Sequence, residues 1–296
     1  MKKFQLLKCF TTLCLSGFFA ITMVGCGGKT PTNVPTETPT TEAPTTKTPD
    51  ETPTETPSEA STLDKSTLIV GLDDTFAPMG FRDTSGELTG FDVEVAKAVG
   101  EKLGKEITFQ PIDWTMKETE LSSGNIDFIW NGYTITPGRR EKVSFSKPYL
   151  KNTQAIVTLA DSPIATKADL AGKKVGAQNE SSAIDAMKAD AAVYASFESG
   201  EAYTYEDNNQ ALMDLEAGRI DAVVADEILL RYYLSLKGAD KYKVLDEDFG
   251  DEEYGVGMRK GDQKMVDAFN KAYDELKADG TLAKISEKWF ASDITQ

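Results

Sequence analysis

Gly124-Asn125-Ile126-Asp127-Phe128-Ile129-Trp130-Asn131-Gly132 runs from a glycine stop, through an apolar strand, to polar residues at the strand's end. Gly218-Arg219-Ile220-Asp221-Ala222-Val223-Val224-Ala225-Asp226 repeats that scheme later in the chain. Helical patterns precede both stretches, over Thr115–Ser123 and over Asn208–Ala217. Each unit therefore reads as helix, Gly stop, Ile-Asp, buried strand and polar carboxyl end. In open α/β sheets ligands bind outside the carboxyl ends of the strands. Two such units imply two sheets whose strand ends face one cleft. The bland alternative is coincidence between two common αβ connections.

The flanking sequence supports the same class. Thr67–Gly71 is a short buried-type strand, and Phe91, Val95, Ala98 and Leu103 recur at helical spacing before Gly104 stops them. Ile107–Ile112 reads as a second strand. In the second half Lys174–Ala177 reads as a strand, with helices over Ser182–Ala189 and Glu227–Lys237. The chain closes with two helices, one carrying Met265, Val266, Phe269, Tyr273 and Leu276, the other spanning Thr281–Phe290. Strands alternating with helices predict an α/β fold with parallel sheets covered on both faces.

Composition excludes several function classes. The chain contains 0 His, which removes the commonest general base and metal ligand. Ser-His-Asp triads, Cys-His pairs and the usual zinc sites are out, and no GxxxxGK[ST] phosphate loop occurs. A net charge of −16 argues against nucleic acid as a partner. The acidic run DEDFGDEE (246–253) lacks the alternating ligands of a calcium loop and reads as solvated surface. No cofactor and no metal is implied.

The amino terminus points outward from the cell. MKK precedes a short, broken apolar run from Phe10 to Val24, the pattern of a secretory signal over residues 1–25. The run is too short to span a bilayer comfortably. Small residues before Cys26 resemble a bacterial lipobox, which implies cleavage there and acyl chains on the Cys26 sulfur. The alternative is an ordinary signal peptide with an incidental Cys. The other two cysteines, Cys9 and Cys14, lie in the part removed, so no disulfide is expected. Residues 26–64 are dominated by Thr, Pro and Glu and cannot bury enough surface to fold. They read as a disordered stalk reaching up to about 100 Å.

Six segments in order carry a resemblance: GLDDTFAPMGF (71–81), LTGFDVEVAKAVGEKLG (88–104), NGYTITPGRREKVSFSKPYL (131–150), DLAGKKVGAQ (169–178), AGRIDAVVADE (217–227) and LKADGTLAKISEKWF (276–290). The chain resembles the bacterial extracellular solute-binding proteins of family 3, which serve ABC importers of polar amino acids. The resemblance implies a two-lobed periplasmic-binding-protein-like fold of type II with two crossover hinge strands. Residues 66–148 and 255–296 would form one lobe and 154–249 the other, with hinges at 149–153 and 250–254. It implies a monomeric binding protein, not an enzyme, on the outer face of a membrane. The lipid anchor fits a cell without an outer membrane, and an ABC permease is the implied partner.

The resemblance also implies site residues. Arg139 falls on the ligand carboxylate, a role its planar fork suits; the alternative is a surface arginine like Arg140. Thr134 and the backbone at Gly132 fall on the same end of the ligand, with Asn131 beside them. Asp226 falls on the ammonium, or else simply caps the Glu227 helix. Ser182 meets the carboxylate at a helix start, or is a plain cap. Phe76 and Trp114 wall the side chain, unless Trp114 is ordinary core, and Asp73 contacts the far end. Acidic Asp73, Asp74 and Glu180 lean toward a cationic amino acid (arginine, lysine or histidine), with glutamine or cystine the alternatives. Glu180 stands where relatives usually have Gly, so it either complements the ligand or points to solvent. A cleft enzyme of dehydratase type, with Glu180 as its acid, and a sensor domain are the rival classes.

Overall fold

Asp127 and Asp221, the acids of the two echoing stretches, make the same pair of bonds. In the computed structural model, which describes residues 61–296, Asp127 N donates to Ile69 O (2.7 Å) and its Oδ2 accepts from Ile69 N (3.0 Å). Asp221 N donates to Lys174 O (2.8 Å) and its Oδ2 accepts from Lys174 N (2.8 Å). Each acid thus ties its echo strand to the neighbouring strand of its own sheet. Gly124 and Gly218 end the preceding helices at φ +78° and +67°, a left-handed turn that favours glycine.

The chain runs as follows. Strand β1 (Thr67–Leu72) precedes a small sheet of β2 (Thr75–Phe76), β3 (Gly80–Arg82) and β4 (Leu88–Thr89). Helix α1 (Phe91–Leu103), β5 (Glu106–Pro111), α2 (Lys117–Ser122), β6 (Phe128–Ile129), α3 (Pro137–Lys142) and β7 (Val143–Phe145) follow. The ten-residue β8 (Leu150–Leu159) then crosses to β9 (Val175–Gln178), α4 (Ser182–Ala189), α5 (Ala191–Ala195), β10 (Tyr203–Tyr205), α6 (Asn208–Glu216), β11 (Ala222–Asp226), α7 (Glu227–Lys237) and β12 (Tyr242–Val244). Finally β13 (Asp251–Tyr254) returns to β14 (Gly257–Arg259), α8 (Gln263–Ala278) and α9 (Thr281–Phe290).

Two sheets result, ordered β5-β1-β6-β14-β7 and β10-β9-β11-β8-β12. The echo strands β6 and β11 hold the same central place in each. The expectation of parallel sheets is corrected: four strands of each sheet run the same way, but β14 in the first and β8 in the second run against both their neighbours. A parallel neighbour needs a helical crossover. The β8 and β14 strands instead arrive directly from the far side of the molecule.

The expected crossovers form one hydrogen-bonded ribbon. Residues Leu150–Thr153 of β8 pair with β13 in antiparallel register, Thr153 opposite Asp251 and Leu150 opposite Tyr254. One residue further on, Gln154 faces Asp226 of β11. The architecture is the two-lobed α/β fold that the sequence predicted.

The predicted signal peptide, the Cys26 anchor and most of the stalk lie outside the described residues. The stalk's last residues do not. Thr62–Asp64 form a 3-10 turn capped by Ser61, and Asp262 accepts from both Ser61 Oγ and Thr62 N (2.7 Å each). Folded structure therefore starts ahead of the expected end of the stalk at residue 64, because Asp262 supplies the acceptors that a polar segment lacks on its own. Among the described residues no helix is long and apolar enough to cross a membrane.

The larger core is aromatic near the crossing. Trp130 packs edge-on to Phe269 at 5.1 Å, and Phe91 stacks near Tyr149 at 6.5 Å. Against this cluster lies a buried acid, Asp92, in the first turn of α1. Its Oδ2 accepts from Gly132 N (2.8 Å) and Tyr149 Oη (2.9 Å). Burial outweighs those bonds and pushes its pKa from 3.8 up to about 7. The folded protein then holds a proton that the unfolded chain releases. Asp92's stabilising share is full below about pH 4 and is lost as pH rises through about 7. Urea unfolding should show the wild type losing stability relative to Asp92→Asn across that window; parallel profiles would contradict the assignment.

Candidate functional site

Three clusters of side chains meet between the two sheets. The deepest lies where the ribbon joins β11. Asp226 is the cap residue of α7, but its side chain makes no capping bond. Its Oδ1 instead accepts from Asn152 Nδ2 (2.7 Å), Gln154 Nε2 (3.1 Å) and Tyr254 Oη (2.6 Å). The local cap loses because three fixed donors on the ribbon outbid a helix end that water could satisfy. Glu252 on β13 shares two of those donors, taking Asn152 Nδ2 at 2.7 Å and Gln154 Nε2 at 2.9 Å, and also accepts from Thr134 Oγ1 at 2.8 Å. Burial, and then the Glu252 charge, holds the Asp226 carboxyl well above its ordinary range. Thr134 Oγ1 in turn lies 3.0 Å from Ser182 Oγ, which opens α4, so the first lobe touches the second here.

A second cluster gathers at the end of β1. Asp73 Oδ1 accepts from Thr75 N and Oγ1 (2.9 and 2.7 Å), and its Oδ2 accepts from Gln178 Nε2 across the cleft (2.7 Å). Burial raises its pKa despite those bonds. Asn131 Oδ1 accepts from Asp73 N (3.1 Å), while its Nδ2 is buried without a partner. Phe76 is buried against Gly132, where an added Cβ would lie 2.8 Å from the Phe76 ring. Gly132 also sits at φ +59°, so both space and backbone demand glycine. Its N–H is spent on Asp92, which leaves only its carbonyl for a ligand. That narrows the backbone role expected of it.

The third cluster surrounds Arg139. Its guanidinium lies over the Tyr133 ring at 4.5 Å, and it donates to Thr134 O (3.0 Å) and Glu180 O (3.2 Å). Trp114 meets Tyr133 edge-on at 5.9 Å and carries Lys117 Nζ 5.2 Å from its ring. Glu118 accepts from Tyr133 Oη (2.9 Å). Glu180 has an exposed side chain and a φ of +55°, the region where glycine fits without strain. Its carbonyl, rather than its carboxylate, faces the cleft.

The nine expected ligand residues fall in these three clusters, with Trp114 packed in a small apolar core beside Leu121, Ile129, Tyr133 and Val143. The sequence reading missed their supports: Asn152, Gln154, Glu252 and Tyr254 beneath, Gln178 across, Lys117 and Glu118 beside. A signal for two of them existed. Asn152 and Gln154 alternate along β8, so both face one side of the strand. Glu252 corrects the reading of 246–253 as solvated surface throughout, because its side chain turns inward.

Residues 68–292 match the family model described as bacterial extracellular solute-binding proteins, family 3. The L-cystine-binding protein TcyJ of Escherichia coli (strain K12) is 36% identical over 235 residues, 79% of this chain and 86% of that protein. An ABC uptake transporter substrate binding protein from Streptococcus pneumoniae, solved with bound histidine, aligns with a TM-score of 0.77 at 41% identity, covering 79% of this chain and 96% of that one. An ancestral arginine-binding protein bound to arginine aligns at 0.71 with 39% identity, covering 76% and 99%. With two sheets joined by a crossing ribbon and a polar junction between them, the chain belongs to the bacterial extracellular solute-binding proteins, family 3.

Proposed function

We propose that this chain is a receptor, lipid-anchored through Cys26 on the outer face of its membrane, that binds a polar amino acid between closing lobes and delivers it to an ABC importer. The observation that carries the reading is the placement of a guanidinium and a carboxyl on opposite lobes: Arg139 follows β6 and Asp226 ends β11, and both are buried, so an ammonium would supply the countercharge that the raised Asp226 carboxyl lacks. An amino acid's carboxylate and ammonium would engage one each. Only a ligand that contacts both lobes favours the closed form, and β8 with β13 are the two strands about which such closure turns. A micromolar Kd needs about 8 kcal/mol net, within reach of two charge-assisted ends plus aromatic packing. The receptor acts as a monomer and as a binding protein rather than an enzyme.

The ligand we favour is a cationic amino acid: arginine, lysine or histidine. Asp73 lies at the far end of the cleft, where burial raises its pKa and Asp207 adds negative potential. A cationic head would restore its charge. The arginine- and histidine-bound relatives support this reading. Glu180 no longer does, since its side chain is exposed. Cystine is the second reading, favoured by the 36% identity to TcyJ.

A thermal-shift panel separates the two. Saturation near 100-fold over Kd adds about 2.7 kcal/mol, a rise of about 5–10 °C at this size. Shifts with L-arginine, L-lysine or L-histidine support the cationic reading, and a shift with L-cystine alone supports the second. A shift with no amino acid removes the receptor reading. Arg139→Ala should stay folded by circular dichroism yet lose about 100-fold in affinity; wild-type affinity would refute its role. Cys26→Ser should move the protein from the membrane fraction to the medium, and retention would sink the anchor.

A further inference from the structure

Lys117 is a buried lysine that the scheme above leaves without a task. Only 1% of its side chain is exposed. Its Nζ donates to Trp114 O (3.0 Å) and to Glu180 O on the opposite lobe (3.2 Å), with Glu118 Oε2 at 3.5 Å. Arg139 Nη2 donates to the same Glu180 oxygen, also at 3.2 Å. Two buried cations thus converge on one neutral carbonyl, and among the described residues Glu118 is the one carboxylate bonded to either. A buried charge is costly unless an opposite charge meets it, and a carboxylate has a separate oxygen for each donor.

Independent observations mark the same spot as an anion site. Lys117, Arg139 and Ser181 line one cavity of about 420 Å³. Ser181 is itself buried, and its Oγ has no hydrogen-bond partner. It precedes the first turn of α4, an eight-residue helix whose free N–H groups favour negative charge.

We propose that Lys117 is a second cation of the carboxylate subsite, so that the ligand's carboxylate is held by a Lys117–Arg139 pair rather than by one guanidinium. This rests on the amino-acid receptor reading and adds a specificity device to it. The pair demands a free carboxylate, so amides, esters and decarboxylated amines are rejected. The Glu180 carbonyl, fixed toward the cations by its left-handed backbone, is exchanged for a carboxylate oxygen when the ligand enters.

Burial, and then the Arg139 charge, lower the Lys117 pKa from 10.5 to about 8. A bound carboxylate favours the charged form, so affinity is greatest below about pH 8 and falls above it. The charged groups around Lys117 are Asp113, Glu118, Glu180, Arg139 and Lys142, with Asp185, Lys188 and Glu201 lining the same cavity from the other lobe and the Tyr133 hydroxyl raised further by burial. Burial also raises the carboxyls of Asp92 and Asp226, so the comparison of wild type with Lys117→Arg isolates the Lys117 share of the profile.

Isothermal titration with L-arginine, L-histidine and L-cystine tests this on wild type, Lys117→Met and Lys117→Arg. Lys117→Met removes the repulsion between Lys117 and Arg139 but leaves Glu118 without its ion-pair partner, so its Tm is measured beside its affinity. Where it folds, Lys117→Met should lose about 10- to 100-fold in affinity. Lys117→Arg should retain binding and lose the decline above pH 8. Wild-type affinity in Lys117→Met overturns the inference and leaves the receptor reading standing. Should Lys117→Met fail to fold, the pH profile decides: a decline above pH 8 equal in wild type and Lys117→Arg overturns the inference. Wild type that binds none of the three probes removes the receptor reading and the inference together.

Discussion

The chain crosses between its two sheets twice, and the two crossings hydrogen-bond to each other. The pairing of β8 with β13 is the constraint on which the site depends. Because β8 continues without a break into the second sheet, the same strand that joins the lobes also flanks β11. Side chains alternate along an extended strand, so Asn152 and Gln154 turn the same way, as do Glu252 and Tyr254 opposite them. The floor of the cleft is therefore built from the crossing itself. It brings two carboxylates, Asp226 and Glu252, onto shared amide donors. Close carboxylates repel, and the fold tolerates them because Asn152, Gln154, Thr134 and Tyr254 satisfy them.

Each lobe also closes around local rules that its sequence displays. The two Ile-Asp dipeptides recur because the same structural problem recurs: the strand after a helix must be registered against its neighbour, and an Asp carboxylate can mimic a backbone acceptor. Left-handed glycines at 124 and 218 end the helices before them. These signals are short-range, so they were legible. Helical spacing on α1, α8 and α9 was legible for the same reason.

What stayed hidden depended on distant partners. The antiparallel strands of each sheet are short or arrive from the far lobe, and nothing in Gly257-Met258-Arg259 reveals that it enters between β6 and β7. Lys117 sits in a polar helix start and would ordinarily be solvated; Trp114 beneath it and Glu180 across from it bury it instead. Asp226 was readable as a cap or as a ligand residue, and only the ribbon's donors decide which way its carboxylate turns. Glu252 lies in a run of acids that composition assigns to water. The ligand residues themselves emerged from family resemblance more than from pattern, because each is one polar residue whose neighbours come from elsewhere in the chain.

The position of β14 has a kinetic consequence. It occupies an interior place in the first sheet, although it is the last strand made among the described residues. The second lobe is one continuous stretch and can assemble as soon as its own strands are present. The first lobe cannot: until residues beyond 257 emerge, β6 and β7 flank an unfilled slot, with apolar faces exposed on both. Contacts this far apart in sequence close slowly. The folding chain that begins with the first lobe must finish it last, and the open slot is the segment most in need of protection from premature pairing.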